Sequence, residues 1–468
     1  MKILFIDPRG DVSGINAGIG YLAAALKSCG HEVKALDFNN NTEDEAERLA
    51  KALAWKPDIA AFSVKTNTVP EAARLAGIFK DAGAVTIAGG PGATCEKEGL
   101  LADNPVFDYA FSGEAENAIA AFASAAPGGD LSGLSGLCLR QGGKSVCNGT
   151  SLVSDLDSLK FPDYSDFDTV ALLKEKYPLV TSRGCPYDCT YCSVNKISGR
   201  KWRFRSARNV IDELAAAKIK YGIKQFDIAD DNFTMDMGRA KEICRLLIDE
   251  KIGLRWSCIN GIRADRVDAE LLALMKRSGC GEVWFGIESL NEQVFDGIKK
   301  GEKLESIVKA VRLAKDSGLE VCGFFVAGLP GSSYNSDMET LRKAKKLGLD
   351  EMLWSLATPY PHTEFYEWAK TNARQIGDFR EVSFFKRPSA VIETDDYPAA
   401  WRLEMFYRGN LAGYSYSCFF PKNIGLRDII RFAFYIIRYD LPRLPAHAAK
   451  ILFGAHHRKH LKELLKRI

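Results

Sequence analysis

The sequence is short of several features that mark common classes of protein. No stretch approaches the roughly 18–20 consecutive apolar residues that a membrane-spanning helix needs, so we expect a soluble or at most peripheral protein. The net charge is only +3, too small by itself to argue for a nucleic-acid partner. The first predicted strand, residues 2–7, is not followed by Gly-x-Gly-x-x-Gly, which disfavours a dinucleotide-binding fold. Histidine is scarce, and none lies between His31 and His362.

Cysteine, by contrast, is concentrated at one place in the middle of the chain. Cys185, Cys189 and Cys192 have the spacing Cys-x3-Cys-x2-Cys. Thiolates are soft ligands, and a loop this tight can direct three of them at one metal centre. Iron–sulfur clusters usually take four thiolates, so a cluster on three has one open iron. Two alternatives stay open on the residues alone: three unrelated thiols, and a structural zinc site that recruits a remote cysteine as its fourth ligand.

This loop, residues 183–193, resembles the cluster loop of the radical S-adenosylmethionine (radical SAM) enzymes. The resemblance implies a 4Fe–4S cluster on Cys185, Cys189 and Cys192. It also implies that the amino and carboxylate groups of S-adenosylmethionine chelate the open iron. Tyr191 matches the family's aromatic position beside the adenine.

Residues 1–130 alternate short apolar runs with helical periodicity, which predicts a Rossmann-like parallel α/β domain. Ligands of such sheets bind at the carboxyl ends of the strands. Three motifs resemble the cobalamin-binding domain that precedes many radical SAM domains: residues 20–23 (Gly-Tyr-Leu-Ala), 89–94 (Gly-Gly-Pro-Gly-Ala-Thr) and 113–116 (Gly-Glu-Ala-Glu). The cobalt-ligating histidine of Asp-x-His-x-x-Gly has no counterpart, and Gly92 stands where relatives often carry histidine. The resemblance therefore implies that backbone and loop contacts hold the corrin. The candidate cobalamin-binding residues are Asp7, Ser63, Thr66, Gly89, Gly90, Pro91, Thr94, Gly113 and Glu114.

Residues 131–176 are predicted to form a linker with a short hairpin between residues 137–139 and 145–147. Cys138 and Cys147 face one another across this hairpin. A disulfide is not expected in a reducing compartment, so we interpret both as packing residues.

Residues 177–375 again alternate strands and helices, with six βα-type strands. Six is fewer than the eight of a closed barrel and resembles the open (β/α)6 TIM-type partial barrel of the radical SAM family. A strand over residues 178–182 leads into the cysteine loop, and four later strands end in motifs that resemble the family's cofactor contacts. The residues implied to bind S-adenosylmethionine, besides Tyr191, are Asp230, Asp231, Glu288, Ser289, Gly328 and Pro330.

The last of these motifs departs from the family pattern. Residues 358–363 resemble Pro-Tyr-Pro-Gly-Thr, but His362 replaces the glycine, which puts the usual backbone conformation of the loop in question. We assign Tyr360 and His362 to the substrate side, with a surface histidine as the alternative. Helix capping is the alternative for the acidic and serine residues at the strand ends. No residue is assigned a catalytic role.

Residues 376–468 are predicted to be helical and are rich in basic residues. Residues 401–468 carry thirteen Lys or Arg against four Asp or Glu, and residues 426–439 interleave arginines with large apolar residues. A basic amphipathic segment can lie on an anionic membrane surface. The alternative is a helical lid that packs on the barrel, with arginines reaching outward from its edge.

The resemblance implies a cobalamin-dependent radical SAM enzyme, most simply a methyltransferase. Reductive cleavage of S-adenosylmethionine gives a 5′-deoxyadenosyl radical, which abstracts hydrogen from an unactivated carbon. Methylcobalamin then methylates that carbon. The alternatives are radical rearrangement, cyclisation or oxidation without methyl transfer, and, from another class, a non-catalytic cobalamin and iron–sulfur binding module.

The same resemblance implies a set of partners. We expect a small-molecule or lipid-like substrate, a reducing electron donor such as flavodoxin or ferredoxin, and no nucleic acid. Free thiols and a first strand that begins beside Met1 predict a cytoplasmic protein. Peripheral membrane contact through the C-terminal basic segment stays open.

Overall fold

The computed structural model describes residues 1–10, 14–41, 44–125, 129–381, 388–416, 419 and 426–453. It divides into two compact units, each treated separately below. The first comprises Met1–Tyr187, Ser193–Asn260 and Ala273–Gly281, and the second comprises Asp188–Cys192, Gly261–Leu272 and Glu282–Ile468. The basic residues predicted at 456–468 lie outside the described residues. No described helix is both long and apolar enough to cross a membrane.

The first unit opens with a mainly parallel sheet whose strand order is β2-β1-β3-β4-β5-β6-β7. β1 to β5 pair in parallel, and β1 is buried from its second residue onward because parallel strands are covered on both faces. The strands are β1 (Lys2–Asp7), β2 (Glu32–Asp37), β3 (Ile59–Ser63), β4 (Val85–Gly89), β5 (Tyr109–Phe111), β6 (Leu137–Gln141) and β7 (Lys144–Cys147). The helices are α1 (Ala17–Ser28), α2 (Glu45–Ala54), α3 (Val69–Asp81), α4 (Pro91–Glu96), α5 (Glu98–Asp103) and α6 (Ile119–Ala125). The Rossmann-like prediction for this region is confirmed.

The hairpin predicted in the linker forms, but it belongs to this sheet. β6 pairs antiparallel with β5, and β7 with β6. Cys138 and Cys147 lie directly opposite one another and form a disulfide bond. The prediction of two reduced packing residues was therefore wrong: the cross-strand register brings the two side chains together, and sequence spacing does not report their oxidation state.

The first unit continues into the first half of the barrel region. β8, β11 and β12 pair in parallel, while β9 and β10 form a small antiparallel ladder. The strand predicted over residues 178–182 is split, because the Thr181 amide donates to the Asp230 carboxylate instead of to a neighbouring strand. The strands are β8 (Tyr177–Leu179), β9 (Ser182–Arg183), β10 (Arg203–Phe204), β11 (Gln225–Ile228) and β12 (Arg255–Ile262). The helices are α7 (Val194–Ile197), α8 (Ala207–Tyr221), α9 (Met237–Asp249) and α10 (Ala269–Arg277), of which residues 273–277 belong to this unit.

The helix ends of this region follow local sequence rules. α8 starts where Ser206 accepts a hydrogen bond from the Asn209 amide, and it ends at Gly222 in the left-handed conformation. α9 is capped in the same way by Asp236, which accepts from the Arg239 amide. These caps fix the first residues of both helices. In the chain each helix follows one parallel strand and precedes the next, as the βα pattern predicts.

The second unit carries the remaining barrel strands, which pair in parallel as β13-β14-β15. Together with β8, β11 and β12 they make the six predicted βα-type strands. They are β13 (Cys280–Glu288), β14 (Glu320–Ala327) and β15 (Glu351–Leu356). The helices are α11 (Glu292–Gly297), α12 (Leu304–Asp316), α13 (Tyr334–Ala344) and α14 (Glu364–Asn372).

The C-terminal part of the second unit is mainly helical, as predicted. It contains β16 (Arg374–Gln375), β17 (Ile392–Glu393), α15 (Ala399–Ala412), α16 (Leu426–Tyr435) and α17 (Leu444–Phe453). α15 packs on β14, β15 and α13. Its Asn410 exchanges hydrogen bonds with the backbone of Trp354 in β15. The helical-lid interpretation therefore describes α15.

Candidate active site

The three cysteines of the predicted cluster loop are set apart from the other thiols by exposure. Cys185, Cys189 and Cys192 are half-buried and take no part in a disulfide bond, whereas Cys244, Cys258, Cys280 and Cys322 are buried, as expected for packing residues. Burial raises the pKa of the Cys244 thiol to about 12, which keeps it protonated. No ready-made group of three or more metal-binding side chains occurs within the described part of the chain. The donor chemistry of the three half-buried thiols fits an iron–sulfur cluster. Cluster binding by these thiols stays a prediction.

In the first unit, Asp230 and Asp231 anchor the chain on either side of the start of the cysteine loop. Asp230 is buried and accepts hydrogen bonds from the Thr181 amide at 2.6 Å and from the Ser182 hydroxyl at 2.7 Å. Asp231 accepts from the Gly184 amide at 2.8 Å. Burial raises the pKa of Asp231 above its ordinary value, against the opposing effect of that hydrogen bond. The two acidic residues therefore position the loop that carries Cys185.

Three buried polar atoms near these anchors or in the loop itself have no hydrogen-bond partner in the described structure. They are the side-chain oxygens of Asn232 and Thr234 in the first unit and of Thr190 in the second. A buried polar group without a partner costs free energy, so such atoms mark places where a polar ligand gains hydrogen bonds. The residues present thus fit a polar cofactor.

In the second unit, Glu288 ends β13 in a strained backbone conformation with φ of +65°. Lys300, almost fully buried, lies 3.3 Å from its carboxylate and also donates to the Gly286 carbonyl. Glu302 lies 3.6 Å from the same ammonium. The Tyr191 hydroxyl donates to Glu288, and burial together with that carboxylate raises the pKa of the phenol. A lysine thus fixes the glutamate and the tyrosine that the resemblance assigns to S-adenosylmethionine.

The charge of Lys300 is maintained by its surroundings. Burial alone lowers the pKa of its ammonium, but the carboxylates of Glu288 and Glu302, with a smaller effect of the Cys189 thiol, outweigh burial and raise it. Lys300 is therefore a buried cation close to one of the predicted cluster ligands.

Gly328, at the end of β14, is held from both sides by residues distant in sequence. Its amide donates to Asp337 in α13 at 3.0 Å, and its carbonyl accepts from Arg402 in α15 at 2.8 Å. Its φ is +84°, and a side chain there would strike the Arg402 guanidinium. Asp337 also accepts from the Tyr397 hydroxyl at 2.8 Å, and burial raises the pKa of its carboxyl to about 7.

The other predicted residues of the second unit range from buried to exposed. Ser289 is buried and shares a hydrogen bond with Thr340 at 3.0 Å, which is a structural role. Pro330 and Tyr360 are half-buried. His362 is exposed and has φ of +66°, so the histidine retains the left-handed conformation that suits the glycine it replaces.

In the N-terminal sheet, polar side chains gather at the carboxyl ends of β1 and β3. The Asn16 amide donates to the Ser63 hydroxyl at 2.9 Å and to the carboxylate of Asp7. Burial raises the pKa of Asp7 to about 6, with Lys65 opposing the rise and Asp37 adding to it. Thr66 begins a short turn of 3₁₀-helix just after β3.

The loop after β4 combines open space with close backbone packing. Gly89 has nothing within 4 Å of the place a side chain would occupy. Gly90 has φ of +97°, and Pro91 is the first residue of α4. Gly92, by contrast, packs against the backbone of residues 64–66, so a larger residue there would meet that backbone. The Thr94 hydroxyl accepts from the Gly113 amide at 2.9 Å and so links the loops after β4 and β5.

The carboxyl ends of these strands fit the ligand-binding edge of a cobalamin-binding domain. The open space at Gly89 is a cradle that a side chain would fill, and it lies at a carboxyl end of the parallel sheet, where ligands bind. Cobalamin contacts by the individual residues stay predictions.

Glu114 has partners other than a ligand in this structure. Its two carboxylate oxygens accept from the two terminal nitrogens of Arg203, each at 2.7 Å, and one also accepts from the Val153 amide. Arg183 lies 3.3 Å away and pairs with Glu116 at 2.8 Å. Burial raises the pKa of Glu114, but these cations hold it below its ordinary value.

Sequence reasoning missed Lys300, Asp337 and Arg402. None lies in a recognised motif, and Lys300 follows an exposed neighbour, Lys299, with the same side chain. Burial of a charged residue next to a strand-end motif is the signal that identifies them, and it is visible only in the fold.

Two family models match the chain. The radical SAM superfamily matches residues 179–344, and the B12 binding domain matches residues 2–123. These ranges cover β9 to β14 of the barrel region and β1 to β5 of the N-terminal sheet.

The related proteins match this chain over most of its length. An uncharacterized methyltransferase of Pyrococcus horikoshii is 30% identical over 390 residues, which cover 80% of this chain and 84% of that protein. The anaerobic magnesium-protoporphyrin IX monomethyl ester cyclase of Rubrivivax gelatinosus is 26% identical over 413 residues, covering 83% and 72%. TsrM of Kitasatospora setae, a radical SAM methyltransferase solved with tryptophan and a SAM analogue, shares the fold with a TM-score of 0.70, 18% identity and coverage of 81% and 79%.

The identity and coverage of the Pyrococcus protein, together with both family models, decide the assignment. The chain belongs to the family of radical SAM enzymes that carry an N-terminal cobalamin-binding domain, and its cofactors are a 4Fe–4S cluster, S-adenosylmethionine and cobalamin.

Proposed function

We propose that the enzyme methylates an unactivated carbon of a small-molecule or lipid-like substrate by a radical reaction. When bound, the cluster and S-adenosylmethionine supply the radical that removes hydrogen from that carbon, and cobalamin supplies the methyl group. Each turnover is expected to yield methylated product, 5′-deoxyadenosine and S-adenosylhomocysteine together. The substrates named for two relatives, tryptophan and a magnesium-protoporphyrin ester, are small molecules and support this class.

One observation carries the proposal, namely the buried contact set of Lys300, Glu288 and Tyr191. Lys300 is buried and pairs with Glu288, which ends β13 in a strained backbone conformation. Burial of the ion pair and the backbone strain both cost free energy, which supports a preorganised site rather than a packing device. Lys300 and the Tyr191 hydroxyl both donate to the Glu288 carboxylate and fix its orientation. Tyr191 immediately precedes Cys192, one of the predicted cluster ligands. These residues bind and orient; they move no proton in the proposal.

The residues around Gly328 perform a second positioning task. Asp337 and Arg402 hold its amide and carbonyl, which fixes the turn after β14, and the missing side chain leaves room for the Arg402 guanidinium. Such rigid placement is what keeps a reactive species near one substrate carbon and away from water.

The proposal is tested with anaerobically reconstituted protein, strong reductant and S-adenosylmethionine labelled in its methyl group. We expect 5′-deoxyadenosine, detected by mass spectrometry, and S-adenosylhomocysteine whose formation requires added cobalamin. Lys300→Met should lower 5′-deoxyadenosine formation, with Lys303→Met, an exposed lysine in the same segment, as the matched control. Protein that binds cluster and cobalamin but forms neither product would sink the enzymatic proposal.

A second candidate function follows from the relative named as a cyclase. That protein is 26% identical to this chain over 83% of its length, so the radical step without methyl transfer is also compatible with the residues. Formation of 5′-deoxyadenosine with no S-adenosylhomocysteine at any cobalamin concentration would favour a radical reaction without methyl transfer over methylation.

A reducing partner is part of the proposal. The cluster requires a low-potential electron donor, and a flavodoxin or ferredoxin meets that need. Replacement of the chemical reductant by reduced flavodoxin should sustain 5′-deoxyadenosine formation, and failure with both protein donors would exclude them.

A further inference from the structure

The helices at residues 426–453 expose an unusual amount of apolar surface. Fourteen large apolar side chains are exposed among the described residues, and five of them fall within residues 430–444. These five are Ile430, Phe434, Ile437, Leu441 and Leu444, and we call them the apolar stripe. Their exposed fractions run from 47% to 64%. Single exposed apolar residues are ordinary, but a contiguous row marks a binding surface.

The inner face of the same segment is also apolar. Phe432 and Ile436 are buried, and Phe432 packs edge-on against Tyr416 and Phe419. A helix that is apolar on both faces is expected to be covered on both. Within the described residues the inner face is covered whereas the side chains of the stripe stay exposed, so we expect a partner to cover them.

Charge identifies the chemistry of that partner. Between residues 430 and 448 the only acidic side chain is Asp440, which is buried and bonded to His447 at 2.9 Å. Arg438, by contrast, is exposed beside the stripe. Residues 430–448 hold three arginines, Arg431, Arg438 and Arg443, against this one aspartate. The surface is therefore apolar and positive, with no exposed carboxylate between residues 430 and 448.

The irregular backbone of this segment favours a lipid surface over a second protein helix as the partner of the stripe. The stripe repeats at intervals of four and three residues, as a coiled-coil seam does. However, the backbone changes from α-helix to a π-helical turn at Ile436–Asp440 and to a 3₁₀-helix at Leu441–Arg443. Pro442 and Pro445, each next in sequence to a residue of the stripe, are also exposed. Knobs-into-holes packing needs a continuous helix, whereas a bilayer interface imposes no register.

We propose that the apolar stripe docks the enzyme on an anionic membrane surface, with its side chains in the headgroup and acyl boundary and the neighbouring arginines on lipid phosphates. This contact does not depend on the chemistry of the active site. It places the protein on the bilayer without spanning it, consistent with the lack of a membrane-crossing helix among the described residues.

The test is co-sedimentation of the full chain with vesicles of phosphatidylcholine alone or mixed with phosphatidylglycerol. We expect binding to the mixed vesicles that weakens with salt. The pair Ile437→Asp with Leu441→Asp should weaken binding by roughly tenfold or more, because the apolar contribution is lost and charge is introduced. Arg438→Gln should weaken it on the order of fivefold.

The matched control is Ile219→Asp, which introduces the same charge at an isoleucine that is 88% exposed in α8. It should bind vesicles as the unaltered protein does. All variants should retain 5′-deoxyadenosine formation and thermal stability, since every altered side chain is exposed.

Two results would overturn the proposal. One is equal sedimentation of the unaltered protein and the Ile437→Asp, Leu441→Asp pair with mixed vesicles. The other is a dimer in light scattering that this pair converts to a monomer while no variant binds vesicles. In that case the stripe belongs to a second copy of the chain.

Discussion

Replacement of Asp337 by asparagine should make the stability of the protein less dependent on pH. The carboxyl is buried and its pKa is raised from 3.8 to about 7 because burial disfavours the charged form. Between these two values the folded protein keeps a proton that the unfolded chain has released. The stability contributed by this group is therefore complete below pH 4 and is lost as pH rises through about 7.

The magnitude follows from the size of the shift. One pKa unit corresponds to about 1.4 kcal/mol, so the unaltered protein should lose about 2–3 kcal/mol relative to Asp337→Asn between pH 5 and pH 7, and little more above pH 8. Asparagine keeps one oxygen that can accept from both the Gly328 amide and the Tyr397 hydroxyl, so the local contacts survive the change.

The assay is urea unfolding of both proteins at pH 5, 6, 7 and 8, followed by tryptophan fluorescence. Asp395→Asn, an exposed aspartate of the same unit, is the control and should follow the unaltered protein at every pH. A difference between the unaltered protein and Asp337→Asn that stays constant from pH 5 to pH 8 would refute the argument. So would a difference that grows in favour of the unaltered protein as pH rises.

Three further changes test the remaining contacts. Lys300→Met should weaken S-adenosylmethionine binding at least tenfold in anaerobic equilibrium dialysis, because it leaves the buried Glu288 carboxylate without its cation; unchanged affinity would show that Lys300 serves packing alone. Cys189→Ala should abolish the iron content and visible absorbance of the reconstituted cluster, whereas Cys244→Ala should preserve both; retention of a full cluster by the first variant would contradict the three-thiol site. Glu114→Gln should lower the free energy of unfolding by about 3–5 kcal/mol, since Arg203 loses its buried partner, while the corrin content stays unchanged; loss of cobalamin at normal stability would instead make Glu114 a ligand contact.

The elements with strong periodicity were predictable, and the short ones were not. The strand over residues 2–7 has the predicted bounds, because burial on both faces gives this segment a clear apolar pattern. α4 and α5 have six residues each, fewer than two turns, and leave no such pattern. Pro91 was interpreted as part of a loop, yet proline is also a favoured first residue of a helix.

The candidate site shows the same division between local and distant information. The motifs at residues 286–289 and 328–331 lie at strand ends, as predicted, because the local backbone conformation there favours glycine and acidic residues. The residues that hold them do not lie nearby in sequence: Arg402 reaches Gly328 across 74 positions. Such contacts arise from the packing of α15 on the barrel strands, and a single sequence carries no pattern for them.

Glu114 shows how a resemblance can locate a loop without settling what its side chain does. The carboxylate is engaged by both terminal nitrogens of Arg203 and by the Val153 amide, with only 12% of the side chain exposed. Arg183, its second charged partner, immediately precedes the Gly184-Cys185 start of the cluster loop. Within the first unit, the cobalamin-domain loop therefore fixes the chain that enters the cysteine motif. Because this ion pair is buried and weakly screened by salt, the coupling should persist at high ionic strength, unlike the proposed membrane contact.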